Sequence, residues 1–560
     1  MSDSIHRLTS AHREPGGLRR LDFILRAIRR MHEERGRDLT IGIMGWGQGS
    51  DALPLADEGH RVIVVEADYA VRKRAHETVK ETGVHLTVIP ESQLQHEDPS
   101  FDAIIVDATR EGDIRNELAV LRPYLAVHGH AYVAASRRDV IRSWNVFFEL
   151  LRAAEWRVMD AATTMSRHRL TRRDLRRARS LFASVWPLRF ADGWVVEARP
   201  FDSTHAYALH LMPTLGMGGA ERLVLDLASH LPDERIDAGV VGIFGGGDLD
   251  VAFRERGIPV RTLHRRDPFG ISTLIDVYRI CSLERPDIVH THLFGADAWG
   301  RLAAWMSGVP IIVSTEHNVN PSYSIVKRFV NRVFAHFTKR IIAVSKTVRD
   351  VSVQQDGIPE SKIRVITNGI DMDRVVPRGG RPFHDVPRLI TVGRLYPQKD
   401  HATLLKALAL VKRPWRLSIV GYGPLETELR ALADRLGIAS RVEWLGIRHD
   451  VPELLARADV FCFPSRWEGL GNAVLEAAAA GLPVIASDLP PLQDVLRRTE
   501  VSFVTAGDVP AWSHAIVDII DHSASAVTRA ARAVPRIHAD AALPRMVHAY
   551  ADVYRELLKT

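Results

Sequence analysis

Short runs of β-branched and other apolar residues alternate with helix-like segments along almost all of the 560 residues. Strands that alternate with helices form βαβ units, in which parallel strands make a sheet that helices cover. The runs fall into three series, which begin at TIGIMG (residues 40–45), HAYALHLMPTL (205–215) and RLITVGRL (388–395). This pattern predicts an α/β fold with three Rossmann-like parallel-sheet domains.

The gaps between the three series predict the domain boundaries. We expect domains at residues 1–200, 201–380 and 381–560, and the second boundary is the better marked because the segment VVPRGGRPFHDVP (375–387) is rich in Pro, Gly and Arg. A length of 560 residues is compatible with three or four domains. Two widely separated cysteines, Cys281 and Cys462, provide neither a disulfide framework nor a CxxC zinc site.

Charge and hydropathy exclude several classes of protein. The 74 basic and 68 acidic residues leave a net charge of +6, a small excess that does not indicate nucleic-acid binding. The first residues, MSDSIHRLTSAHREPGG, lack the apolar segment of a signal peptide, and no run of apolar residues is long enough to span a membrane. We therefore expect a cytoplasmic protein.

A glycine-rich turn follows the first strand. In TIGIMGWGQGS, Gly45, Gly47 and Gly49 lie between a strand and a helix, where their small size lets the backbone approach a ligand closely. The next strand, RVIVVEAD, ends in Glu66, which is placed to accept hydrogen bonds from a ribose. These features predict a nucleotide-binding sheet.

Together with FDAIIVDA and LRPYLAVHGHAYV, this order resembles class I S-adenosylmethionine-dependent methyltransferases over roughly residues 35–200. The resemblance implies that the glycines and Glu66 bind S-adenosylmethionine and makes Asp107 the candidate to test in methyl transfer. Two departures favour a domain that kept the fold and lost the cofactor: Ile43 replaces an acidic residue, and Trp46 interrupts the glycine turn.

The most informative segment is SRWEGLGNAVLEAAAAGLPVIAS (465–487). Residues 472–480 predict a helix, which Gly481 and Pro483 end. The first N–H groups of this helix, beside Gly471, Asn472 and Ala473, would form an anion site suited to a diphosphate. Glu468 precedes the helix and can reach a sugar, whereas Glu476 on its second turn can bind ribose hydroxyls.

This segment resembles the E-x7-E motif of glycosyltransferase family 4, and other motifs in the same order extend the resemblance from about residue 205 to the C-terminus. It implies a GT-B fold, in which the last two domains form two facing lobes, and a retaining transfer of a sugar from a UDP- or GDP-linked donor without a metal. The residues that the resemblance places on the donor diphosphate, sugar or base, beyond those of the helix, are Arg394 and Lys399 of GRLYPQKD, Gly218 and Gly219 of GMGGAER, Gly421 of SIVGYGP and Ile447 of WLGIRHDV. Ser345 of AVSK and Asn368 of TNGID match strand ends of the first lobe.

Three histidines end neighbouring strands in PDIVHTH and PIIVSTEH. The resemblance implies that His317 lies against the donor sugar and acts in catalysis. We assign His292 to the wall of the donor site and expect His290 on the other side of its strand, in a structural role.

An aspartate pair in GGGDLD, Asp248 and Asp250, looks like the metal-binding DxD motif of other transferases. Its position at the entry to a helix favours a helix cap instead. No other cluster of residues predicts a metal site.

Two basic segments bear on the acceptor: residues 321–340, which combine basic and aromatic residues, and residues 166–180, which hold seven arginines. Such segments suit peripheral contact with the anionic inner face of a membrane and a glycan or lipid-linked acceptor, or they are solvated faces of ordinary helices.

Three hypotheses follow. The chain is a bifunctional glycosyl- and methyltransferase, a glycosyltransferase with a non-catalytic first domain, or a non-catalytic sensor of nucleotide sugars. The combination of Glu468, Glu476, Arg394, Lys399 and His317 argues against the sensor.

Overall fold

The structure is a computed structural model that describes residues 17–35, 37–44, 52–66, 68–82, 84–94, 100–107, 120, 123, 125–136, 151, 156–164, 193–200, 204–263, 270–319 and 325–559. The chain divides into two compact units. The first unit comprises residues 1–205 and 274–285, and the second unit comprises residues 206–273 and 286–560.

A seven-stranded sheet forms the centre of the first unit, in the order β3-β2-β1-β4-β5-β7-β6. Strand β7 runs antiparallel to both of its neighbours, whereas the other pairs are parallel. The strands are β1 (Thr40–Met44), β2 (Arg61–Val65), β3 (Leu86–Ile89), β4 (Phe101–Asp107), β5 (Leu125–Ser136), β6 (Trp156–Thr164) and β7 (Gly193–Pro200). The described helices are α1 (Gly17–Arg35), α2 (Ala52–Asp57) and α3 (Tyr69–Thr82).

Helix α1 shows why this part of the sequence folds as it does. Ile24, Ala27, Ile28 and Met31 recur at helical spacing, and all four are buried in the core with β1. Strand β1 lies between β2 and β4, so the order of the strands reverses there, at the position where open α/β sheets bind ligands.

The second unit contains two parallel sheets. The second sheet has seven strands in the order β10-β9-β8-β11-β12-β13-β14. Its strands are β8 (Ala206–Met212), β9 (Ile236–Gly242), β10 (Val260–Thr262), β11 (Ile288–His292), β12 (Ile311–Glu316), β13 (Arg340–Ala343) and β14 (Ile363–Val365). The helices that alternate with them along the chain are α4 (Gly219–His230), α5 (Asp250–Glu255), α7 (Leu293–Met306), α8 (Ile325–Ala335) and α9 (Lys346–Gln354). Helix α6 (Ile271–Glu284) also lies between β10 and β11 in the sequence, but most of it belongs to the first unit.

The third sheet has six strands in the order β17-β16-β15-β18-β19-β20. Its strands are β15 (Arg388–Val392), β16 (Arg416–Val420), β17 (Val442–Gly446), β18 (Val460–Phe463), β19 (Val484–Ser487) and β20 (Ser502–Val504). The helices that alternate with them or follow them are α10 (His401–Leu410), α11 (Glu426–Arg435), α12 (Val451–Arg457), α13 (Asn472–Ala479), α14 (Pro490–Gln493), α15 (Val509–Asp521), α16 (Ser523–Asp540) and α17 (Leu543–Leu558). The predicted fold class, α/β with three parallel-sheet domains, is confirmed.

The last helix departs from the expected division of the chain at residue 380. Helix α17 packs on the second sheet, because Met546, Val547, Tyr550 and Tyr554 share a core with α4 and β8. Its apolar residues recur every three or four positions, which gives it one face to bury. The lobe built on the second sheet therefore includes residues from both ends of the second unit.

Among the described residues, we find no helix with the length and apolar composition that crossing a bilayer requires.

Candidate active site

A cleft of about 400 Å³ separates the second and third sheets, and it lies at the carboxyl ends of their strands. This volume is in the range of small-molecule sites. Twelve of the residues predicted to bind or act on the donor line it: Gly218, Gly219, His317, Arg394, Lys399, Gly421, Ile447, Glu468, Gly471, Asn472, Ala473 and Glu476. The two sheets thus bring together residues that are as far as 258 positions apart in the sequence, Gly218 and Glu476.

Lys399 and Glu468 form an ion pair in the cleft. The Nζ atom of Lys399 lies 2.5 Å from Oε1 of Glu468, and both side chains are largely buried. Lys399 ends a short turn after β15, and Glu468 lies in the loop after β18. Gln398, which the sequence analysis missed, donates its side-chain N–H to Oε2 of Glu468 at 3.3 Å. The carboxylate is therefore held by two donors from one turn.

Helix α13 points its N-terminus at the cleft. Its N-cap is Gly471, whose φ of 86° lies in the left-handed region that favours glycine. The side chain of Asn472 bridges the two lobes: its Oδ1 accepts from Asn368 at 2.7 Å, and its Nδ2 donates to the carbonyl of Gly219 at 3.2 Å. The positive end of the helix dipole can stabilise an anion at this position.

Glu476 extends from the second turn of α13 toward α4. Burial raises the pKa of its carboxyl to about 7, with a further increase from Asp226 that Arg222 opposes. Both neighbours also line the cleft. The sequence analysis missed them, although Arg222 is the last residue of the quoted motif GMGGAER. Glu476 therefore changes its charge near neutral pH.

Arg394 lies two residues beyond the end of β15. Its guanidinium stacks over the ring of Tyr396, 5.3 Å from the ring centre. Glu221 lies opposite on α4, and burial raises the pKa of its carboxyl while the charge of Arg394 lowers it. Ile447 remains partly exposed at the end of the cleft. The guanidinium of Arg394 thus makes one wall of the cleft cationic, and a guanidinium is well suited to bind phosphate.

The two lobes come into close contact at Gly469. A Cβ on Gly469 would fall 2.0 Å from the carbonyl oxygen of His317 and 2.9 Å from Cα of Asn318. The hydroxyl of Ser345, which caps α9, donates to the carbonyl of Gly469 at 2.8 Å. Only glycine fits between Glu468 and the end of the second sheet without moving one lobe.

Two of the histidine predictions are wrong. His292 is not in the cleft wall: its side chain is fully buried and lies behind His317, 3.0 Å from it. His290 is on the same side of β11 as His292, because residues two apart on a strand share a face, and their rings stack at 4.1 Å. His290 is held by Thr315 at 2.7 Å and by the hydroxyl of Tyr554.

The aspartate pair also differs from its prediction. Helix α5 begins at Asp250, but its N-cap is Leu249 and no side chain caps it. The expected side-chain cap is therefore wrong, although the motif does lie at a helix entry.

In the first unit, Gly45, Gly47 and Gly49 lie outside the described residues, as do Trp46, residues 166–180 and the side chain of Asp107. Glu66 follows β2 and is 8% exposed, and its carboxylate accepts the backbone N–H of Asp68 at 3.0 Å. It therefore lies directly after the end of the strand, and its role in binding a ribose stays a prediction.

Sequence comparison agrees with this geometry. The profile described as Glycosyltransferase Family 4 matches residues 217–374, and the profile described as Glycosyl transferases group 1 matches residues 386–522. The GDP-mannose-dependent alpha-(1-6)-phosphatidylinositol monomannoside mannosyltransferase of Mycolicibacterium smegmatis is 31% identical over 258 residues, which are 41% of this chain and 67% of that protein. The chain belongs to glycosyltransferase family 4.

Other relatives of this glycosyltransferase include the Escherichia coli UDP-Gal:alpha-D-GlcNAc-diphosphoundecaprenol alpha-1,3-galactosyltransferase, which is 28% identical over 340 residues, 56% of this chain and 87% of that protein. The crystal structure of Anabaena Alr3699/HepE in complex with UDP and glucose matches with a TM-score of 0.57 and 22% identity, over 63% of this chain and 100% of that chain. This similarity shows that the GT-B fold is shared.

Proposed function

We propose that the second unit is a retaining glycosyltransferase that moves a sugar from a UDP- or GDP-linked donor to a glycan on a lipid diphosphate. The observation that carries the proposal is the Lys399–Glu468 pair, which lies in one cleft with Arg394 and the N-terminus of α13. This combination offers positive charge for a leaving diphosphate beside a carboxylate that can hold sugar hydroxyls.

In the reaction, the bond between the anomeric carbon and the diphosphate oxygen breaks, the acceptor oxygen forms the new bond on the same face, and the proton of the acceptor hydroxyl passes to the departing diphosphate. Arg394, Lys399 and the first N–H groups of α13 stabilise the departing diphosphate. Glu468 orients the sugar, Glu476 binds the ribose, and His317 contacts the sugar. Retention arises either from front-face displacement or from two successive inversions through a covalent intermediate. No metal is required, because side-chain cations supply the positive charge.

Two observations support a lipid-linked acceptor. The name of the Escherichia coli relative specifies a diphosphoundecaprenol acceptor. On helix α8, Phe329 is 65% exposed beside Arg328, and the neighbouring helix α7 exposes Trp305. An exposed aromatic residue next to a cation suits contact with an anionic lipid surface.

Turnover with purified protein tests this proposal. The chain is incubated with UDP- or GDP-sugars and a short-chain lipid-diphosphate glycan, and NMR coupling of the anomeric proton in the product reports the stereochemistry. We expect one donor class to react with retention, and Lys399→Ala to abolish most of the product. Inversion would exclude the retaining mechanism. Binding of a nucleotide sugar without turnover by any donor would favour the sensor.

We further propose that the first unit is a methyltransferase-like domain. Its strand order reverses at β1, where open α/β sheets bind ligands, and Glu66 follows the neighbouring strand β2, which favours this interpretation. Fold alone does not establish catalysis, so a non-catalytic binding module is the alternative. Transfer of label from methyl-labelled S-adenosylmethionine to the glycan product separates the two: label in the product supports methylation, and unlabelled product supports the module.

A further inference from the structure

Three histidines form a hydrogen-bonded chain that ends at the cleft. His317 lines the cleft, and its Nε2 lies 3.0 Å from Nδ1 of His292. The Nε2 of His292 lies 3.0 Å from Nδ1 of His210 on β8. Strands β8, β11 and β12 are neighbours in the sheet, so their side chains meet on one face. His210 and His292 are fully buried, and the sequence analysis did not identify His210.

The three rings are neutral at neutral pH. Burial lowers the pKa of His317 to about 4 and that of His210 to about 3, and it also lowers the pKa of His292. A neutral imidazole has one N–H donor and one bare nitrogen. Because each of the two contacts needs one donor and one acceptor, all three protons must point in the same direction along the chain. Only two arrangements satisfy this condition.

The two arrangements differ at the ends of the chain. In one, His210 carries its proton on Nε2 and His317 leaves Nδ1 bare. In the other, His210 carries its proton on Nδ1 and His317 carries its proton on Nδ1. The Nε2 of His210 is buried and has no hydrogen-bond partner among the described residues. A buried N–H without a partner is rarer than a buried acceptor without one, so the second arrangement is favoured.

We infer that His210 and His292 are positioning residues that hold His317 with its proton on Nδ1, as a fixed donor to the cleft. Since Nε2 of His317 faces His292, Nδ1 is the ring nitrogen left for a ligand. A fixed N–H recognises an oxygen acceptor, such as a hydroxyl of the donor sugar. This role of His317 rests on the proposed function, whereas the direction of the protons does not.

A metal site does not explain this cluster as well. Nitrogen atoms of His210, His290 and His292 lie within 4.8 Å of one another. However, both nitrogens of His290 have hydrogen-bond partners, and its ring stacks on that of His292. Nitrogen lone pairs lie in the ring planes, so stacked rings do not direct them at one ion.

The tautomers can be measured directly on the whole protein. Long-range ¹H–¹⁵N spectra of ¹⁵N-histidine-labelled protein distinguish protonated from bare ring nitrogens, and His317→Gln identifies the signals of His317. We expect a protonated Nδ1 and a bare Nε2 on His317. The opposite tautomer in the wild-type protein would overturn the inference, as would a stoichiometric metal ion in the purified protein. Neither result depends on turnover.

The role in the reaction is tested with His210→Phe, which keeps a ring of similar size but removes the last donor. We expect mixed tautomers at His317 and about a tenfold fall in kcat, with donor KM changed less than twofold. His290→Phe is the matched control, because it removes hydrogen bonds that are equally buried but are not part of the His210–His292–His317 series. It should lower Tm but keep the His317 tautomer and kcat. An unchanged tautomer and kcat in a folded His210→Phe protein would contradict the positioning role. Absence of turnover in the wild type would instead count against the proposed function.

Discussion

At the residue scale, the Lys399–Glu468 pair contributes to the stability of the fold and to turnover, and the two contributions can be measured separately. The pair is largely buried, so removal of either charge leaves the other without its partner in a poorly solvated position. We predict that Lys399→Met lowers kcat about 100-fold, because the leaving diphosphate loses a cation, and that it also lowers Tm. The double variant Lys399→Met/Glu468→Gln should regain Tm but not kcat. Kinetics and thermal unfolding of the three proteins check this.

The control for this prediction is Arg413→Met, which removes an exposed ion pair with Asp521. Exposed pairs contribute little to stability, so its Tm and kcat should equal those of the wild type. Wild-type kcat in the double variant would show that the pair is structural and has no part in the transfer.

Glu476 predicts a pH dependence of donor binding. Because burial raises the pKa of its carboxyl to about 7, the ionised form that accepts from both ribose hydroxyls makes up about nine-tenths of the protein at pH 8 and about one-tenth at pH 6. The affinity for the donor should therefore fall about tenfold between these pH values. Calorimetric titration with the nucleotide sugar measures it. In Glu476→Gln, binding should be weak and nearly independent of pH, and an equal pH dependence in both proteins would contradict the assignment.

At the scale of elements, Gly469 is where the loop after β18 meets the end of β12. An alanine Cβ would fall 2.0 Å from a backbone oxygen, which has no flexible side chain to move aside. We predict that Gly469→Ala separates the lobes and lowers kcat at least tenfold, while nucleotide affinity changes less than about threefold, because α13 and β15 stay intact. Gly380→Ala is the matched control, since nothing lies within 4 Å of its added Cβ. Equal kcat in both variants would contradict the close approach.

Helix α8 predicts attachment to anionic lipid. Insertion of the Phe329 side chain, which is 65% exposed, should contribute about 1.5–3 kcal/mol, so Phe329→Glu should weaken binding to vesicles that contain phosphatidylglycerol about tenfold or more. Vesicle co-sedimentation measures this. The matched control is Val251→Glu, another exposed apolar residue, which should bind like the wild type. Equal binding by both variants would show that α8 is an ordinary solvated helix.

Local patterns predicted the elements better than they predicted contacts between distant elements. Every apolar run named at the start of a series became a strand, because buried parallel strands need nearly continuous apolar residues. The helix after Glu468 was also predictable, since its glycines and its apolar spacing are local. The packing of α17 on the second sheet was not, because an amphipathic helix does not specify its partner. The pairing of His210 with His292 depends on strand order, which the sequence alone does not contain.

At the scale of the whole molecule, the two units should bind their ligands separately. A ligand at 100 times its Kd stabilises the folded state by about 2.7 kcal/mol, which raises Tm by several degrees. We predict that UDP or GDP stabilises the wild type, that Glu476→Ala abolishes this shift, and that Glu66→Ala preserves it. If the first unit binds the cofactor, S-adenosylhomocysteine should also stabilise the wild type. Glu66→Ala should then abolish that shift, and Glu476→Ala should preserve it. Thermal unfolding with each ligand measures all of these shifts.

The pattern of Tm shifts bears on the hypotheses that the sequence left open for the two units. If S-adenosylhomocysteine and one nucleotide both raise Tm, each through its own glutamate, the chain has two ligand sites and the acceptor search should include methylated glycans. If only a nucleotide does, the first unit is a binding module. Ile43 then gives the reason, because this buried apolar residue of β1 stands where methyltransferases have an acidic one. A nucleotide shift that survives Glu476→Ala would move the nucleotide away from the N-terminus of α13 and contradict the proposed donor site.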